Sequence, residues 1–99
     1  MSTRDYVGEH FAKHPGPVRP AIKTVRFQPL SVQASAGHYC SPKDDTGPYG
    51  SVEVWWTGSK PRALRGLGQS GAGGPVGWVP VSLANEIIAK RGGVIGDDA

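Results

Sequence analysis

The chain has 99 residues, of which 37% are hydrophobic and 19% are charged, and it contains 15 glycines and 9 prolines. A chain of this length forms one small domain that buries roughly 65% of its unfolded surface, which excludes a second core or a large cofactor cradle. We therefore expect no bound cofactor. The single cysteine, Cys40, excludes an internal disulfide and a zinc module built on several cysteines.

The positive charge is unevenly distributed along the chain. The net charge is +3; residues 1–43 carry six basic and two acidic side chains, whereas residues 44–99 carry five and six. A basic N-terminal half is compatible with contact to a nucleic acid or an acidic protein surface, although ordinary solvated charges are the simpler interpretation. No apolar run approaches the ~20 residues that cross a bilayer, and the start of the chain lacks a secretory signal. We expect a cytoplasmic protein with no membrane partner.

The first twenty residues predict a flexible N-terminal arm. Val7 and Phe11 are four residues apart, which is a helical spacing, but three prolines follow closely and end any helix by His14. After residues 1–20 the pattern is that of a single domain, which we place at residues 21–95.

Residues 22–35 alternate between apolar and polar side chains, as in a half-buried strand. The side of the alternation changes at Pro29, which cannot donate a hydrogen bond to a sheet. We expect a bulge or break there, or two short strands meeting at a bend. Ser31, Gln33 and Ser35 are then expected to face water.

The strand signal is clearest in residues 51–57. Val52 and Val54 share one side of this strand, whereas Trp55 shares the other with Glu53. A tryptophan on a polar side is either covered by the N-terminal arm or a helix, or exposed as an anchor for a partner. The sequence favours the first alternative, in which Trp55 is covered.

Residues 58–75 form a long glycine-rich connection that carries Lys60, Arg62 and Arg65 and no acidic residue. Loops longer than ~12 to 15 residues in compact domains are usually functional or disordered. Pro61 suits the start of a helical turn within it.

The C-terminal part predicts a short strand at 76–79 followed by a helix over 80–91. Ser82 is a suitable N-cap for the helix, and Gly92 suits its end. Together these elements predict an α+β fold with a mainly antiparallel sheet of three or four strands and the C-terminal helix packed on one face.

Three motifs are weak candidates for chemistry. Residues 66–71 match the letters of a dinucleotide-binding loop, but they do not open a helix after a strand. His38 and Cys40 lie two residues apart and form a candidate metal site or nucleophile pair, whereas a small buried hydrophobic cysteine is the commoner case. His10 and His14 have the spacing of a metal-binding pair on a helix, but a proline follows directly.

Exposed aromatic and cationic side chains are the best candidates for a binding site. Four aromatic residues, Tyr39, Tyr49, Trp55 and Trp78, together with the loop cations, supply the ingredients of single-strand binding, although no RNP-like, helix-turn-helix or zinc-finger pattern accompanies them. The predicted partner-binding residues are Trp55, Lys60, Arg62, Arg65, Tyr49 and Tyr39.

Three stretches, HYCSPK at 38–43, GPYGSVEV at 47–54 and GWVPVSLANEIIAKRGG at 77–93, resemble a group of small proteins from bacteriophages and bacterial mobile elements. The resemblance covers about half of the chain. It implies a small α+β fold and a setting inside a host bacterial cell, where such proteins often bind and block host machinery, including anti-CRISPR-like inhibitors.

These observations predict a non-enzymatic binding module that binds a host protein or ribonucleoprotein complex. The first alternative is direct nucleic-acid binding through the basic N-terminal half and the aromatic and cationic loop. A minor alternative is an enzyme that depends on Cys40. We expect no catalytic residues and no metal site.

Overall fold

The computed structural model describes residues 4–16, 18–45, 47–58, 61–65 and 75–95. It has an α+β fold in which a three-stranded antiparallel sheet, in the order β1-β2-β3, is combined with two helices. The elements in chain order are α1 (Tyr6–Lys13), β1 (Leu30–Gln33), β2 (Ser51–Trp56), a 3₁₀ helix (Arg62–Leu64), β3 (Val76–Pro80) and α2 (Val81–Lys90).

The core lies between the sheet and α2. The predicted alternation of β2 is confirmed, because Val52 and Val54 are fully buried while Trp55 is exposed. Ile87 and Ile88 of α2 are buried in the same core cluster. This arrangement confirms that a C-terminal helix packs on the sheet.

The chain before β1 runs beside it without forming a fourth strand among the described residues. Ile22 and Leu30 exchange two backbone hydrogen bonds, of 2.8 and 2.9 Å. Further along, the Gln33 side chain takes the place of a backbone partner: its Oε1 accepts from Arg19 N at 2.8 Å and its Nε2 donates to Arg19 O at 2.7 Å. Pro20 interrupts the ladder because it has no N–H to donate.

The expectation that Gln33 and Ser35 face water is therefore wrong. Their exposed fractions are 9% and 2%. The buried side chain of Arg19 covers this part of β1, and its Nη1 donates to Ala34 O at 2.6 Å.

The segment predicted to be a flexible arm packs on the domain where it is described. Val7 of α1 is buried, and its N–H donates to Asn85 Oδ1 of α2 at 2.9 Å. Asn85 Nδ2 donates in turn to Asp5 Oδ1 at 3.0 Å. The end of α1 at Lys13, with His14 as its C-cap, confirms the predicted limit of the helix.

The start of α2 differs from the prediction and its end agrees with it. Pro80, not Ser82, is the N-cap and makes no side-chain capping bond, whereas the Val81 N–H of the first turn donates to Gly50 O at 3.0 Å. At the other end Gly92 and Gly93 adopt φ of 88° and 83°, and their N–H groups bond to carbonyls of the last turn.

The helices that the structure describes are short. The longest, α2, has ten residues. In this part of the chain no helix is long and apolar enough to cross a bilayer.

Candidate functional site

Trp55 lies on the side of β2 that faces away from the core, and 47% of its surface is exposed. The favoured expectation that another element covers it is wrong. The described N-terminal helix packs against α2 and leaves Trp55 in contact with solvent.

Tyr39 and Trp78 form a stacked pair close to β2. Their ring centroids are 5.1 Å apart and the ring planes are inclined by 29°. Trp78 N donates to Tyr39 O at 2.9 Å, which connects β3 to the segment that carries Tyr39. Tyr39 is 45% exposed and Trp78 is 57% exposed, so the stack is accessible from solvent.

Glu53 places this stack on the same side of the sheet as Trp55. Its Oε2 accepts from Tyr39 N at 3.2 Å, and Trp55 follows Glu53 by two residues, the spacing that returns to the same side of a strand. Lys43 Nζ lies 5.2 Å from the centre of the Tyr39 ring, a cation–π distance. We call Tyr39, Trp55 and Trp78 the aromatic surface.

The backbone of β3 turns Trp78 outward. Alternation from Val76 would place Trp78 on the buried side, but the pairing register shifts between Val52 and Val54, and Trp78 adopts a left-handed φ of 52°. A bulge of this kind redirects a side chain. Gly77 is needed beside it, because a Cβ at that position would lie 2.6 Å from Tyr39 Cβ.

The predicted site residues do not all meet at the aromatic surface. Arg62 and Arg65 lie on and directly after the 3₁₀ helix, both exposed, and line a groove against the C-terminal end of α2. The predicted turn after Pro61 is thus present. Lys60 lies outside the described residues.

Tyr49 is half-buried and points inward. Its ring packs edge-on against Phe11 at 5.8 Å, and its hydroxyl donates to Asp44 O at 2.7 Å. Burial raises the pKa of Tyr49. Among the predicted residues, Tyr39 and Trp55 lie on the same side of the sheet.

Cys40 is buried with its thiol directed at backbone carbonyls. The Sγ lies 3.3 Å from both Ser35 O and Pro42 O. Burial raises the pKa of the Cys40 thiol, which disfavours the reactive thiolate at neutral pH. His38 is engaged elsewhere, since its Nδ1 is 2.6 Å from Ser35 Oγ.

The histidine pair on α1 is partly occupied by the fold. The His10 and His14 rings are 4.7 Å apart, and His10 Nε2 donates to Pro20 O at 2.9 Å. Burial lowers the pKa of His10. In the part of the chain that the structure describes, no three histidine, cysteine or carboxylate side chains are grouped to hold a metal ion.

Trp78 is among the four aromatic residues singled out in the sequence but not among the predicted partner-binding residues. The missing information is the bulge, by which Val76 and Val79 are both buried although a spacing of three residues places side chains on opposite sides of a regular strand. Phe27 is also absent from the predicted site, although it is 74% exposed beside Arg91. Its position depends on a bend at residues 25–28, directly before the break predicted at Pro29, where the alternation of apolar and polar residues predicts a strand instead.

Comparison of the chain with protein-family models, with curated proteins and with solved structures found no match. The resemblance to bacteriophage proteins stays a prediction from the motifs that carry it.

Proposed function

We propose that this protein is a non-enzymatic binding module that attaches to a host protein inside a bacterial cell and blocks it stoichiometrically, as a phage or mobile-element inhibitor does. The observation that carries the proposal is the aromatic surface, in which Tyr39, Trp55 and Trp78 are all about half exposed on one side of the sheet. A partner would remove these three side chains from water together.

Such a surface has the composition of a protein-binding hot spot. Tryptophan and tyrosine are enriched, together with arginine, among the residues whose truncation weakens protein complexes by about 2 kcal/mol or more, and they cluster where surrounding contacts exclude water. Lys43 and Glu53 lie next to the stack and are suited to such a rim. The rings also bring little flexibility to be lost on binding, since each has only two side-chain torsions.

The geometry around Trp78 supports a role other than packing. A left-handed conformation disfavours a residue with a side chain by about 1–2 kcal/mol. Here that conformation places an indole in solvent rather than in the core. Strained positions of this kind concentrate at binding and catalytic sites.

The surroundings of Cys40 favour a binding role over the minor alternative of a cysteine-dependent enzyme. A nucleophilic thiol is usually accessible and has a lowered pKa. Cys40 is buried, its thiol is bonded to carbonyls, and its pKa is raised by burial. Replacement of Cys40 by Ser should therefore leave partner binding intact.

The test is capture of proteins from a nuclease-treated bacterial lysate by the immobilised chain. We expect a specific partner to be retained by the wild type and lost with Trp55→Ser plus Trp78→Ser, because each truncation removes about 2 kcal/mol of binding free energy. Gly77→Ala should weaken capture as well, since the added methyl displaces Tyr39.

Val18→Ser is the matched control, because Val18 is exposed and lies outside the aromatic surface. Equal capture by the double variant and the control would contradict the proposed surface. A partner that is captured from an untreated lysate but not from the nuclease-treated one would contradict a protein partner.

A further inference from the structure

A second surface lies between the 3₁₀ helix and the C-terminal end of α2. It is a groove of about 580 Å³ whose described lining contains four cations and no carboxylate. We propose that this basic groove binds single-stranded nucleic acid, with phosphates on Arg62, Arg65 and Lys90 and a base stacked on Phe27.

The cations of the two walls point into one space. Arg62 and Arg65 are three residues apart, and side chains at this spacing on a 3₁₀ helix eclipse each other; Arg65, the C-cap, keeps a helical φ of −65°. On the opposite wall, Ile87 and Lys90 have the three-residue spacing of one face of an α-helix. The basic groove therefore offers a row of positive charge with an apolar floor.

The fold neutralises the negative end of α2 with other groups. Arg26 Nη2 donates to Lys90 O at 2.6 Å, and the N–H groups of Gly92 and Gly93 bond to carbonyls of the last turn. Arg91 is also engaged within the fold, because its Nη1 donates to Gln28 O at 2.6 Å.

Arg62, Arg65 and Lys90 are left for a ligand. No carboxylate among the described residues forms an ion pair with any of the three. Arginine suits phosphate in particular, because its planar group donates two parallel hydrogen bonds.

Phe27 decides between two kinds of anionic partner. It is 74% exposed, adopts a left-handed φ of 69°, and has the Arg91 guanidinium 5.4 Å from its ring centre. Either a nucleic acid or an acidic peptide would neutralise the groove, but a base also stacks on an exposed ring, and such stacking is tolerant of sequence. An aromatic ring held among cations therefore favours a single strand.

The test is fluorescence anisotropy of a labelled oligothymidine of about twelve nucleotides at low salt. We expect Arg62→Glu plus Arg65→Glu to weaken binding at least tenfold. The matched control is Lys13→Glu plus Lys23→Glu, which makes the same charge change at exposed sites outside the basic groove, and it should change the dissociation constant less than threefold. Phe27→Leu should weaken binding about fivefold or more, since it removes the stacking ring.

The salt dependence gives a second measurement. Three phosphate contacts predict a slope of about −2 in a plot of log binding constant against log salt, which falls to about −0.7 in the arginine double variant. Circular dichroism spectra that match the wild type would establish that each variant is folded.

Several results would overturn the inference. These are no binding at low salt, an equal loss in the lysine control, and competition by polyglutamate as effective as by unlabelled oligothymidine. Trp55→Ser plus Trp78→Ser should retain the oligothymidine, so that this inference and the proposed function fail independently. Loss of the oligothymidine in that variant would place the strand on the aromatic surface instead.

Discussion

Phe27 and Trp78 share an uncommon combination of properties at the residue scale. Each is a large aromatic residue, each is more than half exposed, and each adopts a positive φ. Among the described residues they are the non-glycine positions with this backbone conformation. One lies in the basic groove and the other in the aromatic surface, so the strained backbone coincides with both proposed contact sites.

Comparing glycine with alanine at position 78 isolates this strain. Trp78→Gly should be more stable than Trp78→Ala by about 1 kcal/mol, because only glycine adopts positive φ freely. Urea denaturation of the two variants measures the difference.

Position 55 provides the control, because it lies in a strand without positive φ. There the order should reverse, with Trp55→Gly less stable than Trp55→Ala by about 0.5–1 kcal/mol. If Trp78→Gly were less stable than Trp78→Ala, the order expected at position 55, a strained Trp78 would be contradicted.

His10 gives the fold a dependence on pH. Its pKa is lowered from 6.5, chiefly because burial disfavours the charged ring, with smaller contributions from His14, Arg19 and Lys13. Below pH 6.5 the unfolded chain therefore binds a proton that the folded chain resists. Above this pH the lowered pKa of His10 does not change the free energy of unfolding. As the pH falls toward the lowered pKa, it reduces that free energy.

We expect His10→Gln to lose less stability than the wild type between about pH 7.5 and about pH 5. The measurement is the urea midpoint at each pH. NMR titration of the His10 ring in the folded protein and in urea provides the control, and a folded pKa equal to or above the unfolded one would exclude this explanation.

At the scale of elements, one side chain joins the two helices. Asn85 accepts from Val7 N and donates to Asp5 Oδ1, and Asp5 Oδ1 also accepts from Gly8 N at the start of α1. Asn85 thus connects the N-cap of α1 to the middle of α2 from a buried position.

Asn85→Ala should destabilise the protein by about 1–3 kcal/mol, because it leaves the buried Val7 N–H without a partner. Hydrogen exchange should show the amides of α1 losing more protection than those of β2. Glu86→Ala, at the exposed neighbouring position of α2, is the matched control. If both variants are equally stable, Asn85 does not hold α1 in place.

At the scale of the whole molecule, the charge layout differs from its layout along the sequence. The N-terminal half is the basic half of the chain, but two of its cations, Arg19 and Arg26, bond to backbone carbonyls within the fold. The basic groove instead draws its available cations, Arg62, Arg65 and Lys90, from the C-terminal half. Charge along a chain does not distinguish a cation that caps a helix from one that faces solvent.

The sequence by itself determined the α+β class, the side of β2 on which Trp55 lies, and the glycine-terminated end of α2. These features follow from local rules, since alternation and turn chemistry act over a few residues. Arg62 and Arg65 could likewise be selected from a long loop that lacks acidic residues.

Only the tertiary structure decided that Gln33 is buried, that Trp78 faces outward, and that Phe27 stands among cations. Each outcome depends on chain segments distant in sequence: Arg19 against β1, the β2–β3 bulge, and α2 against the segment before β1. A polar side chain is exposed by default, and it is buried only where another segment satisfies its hydrogen bonds.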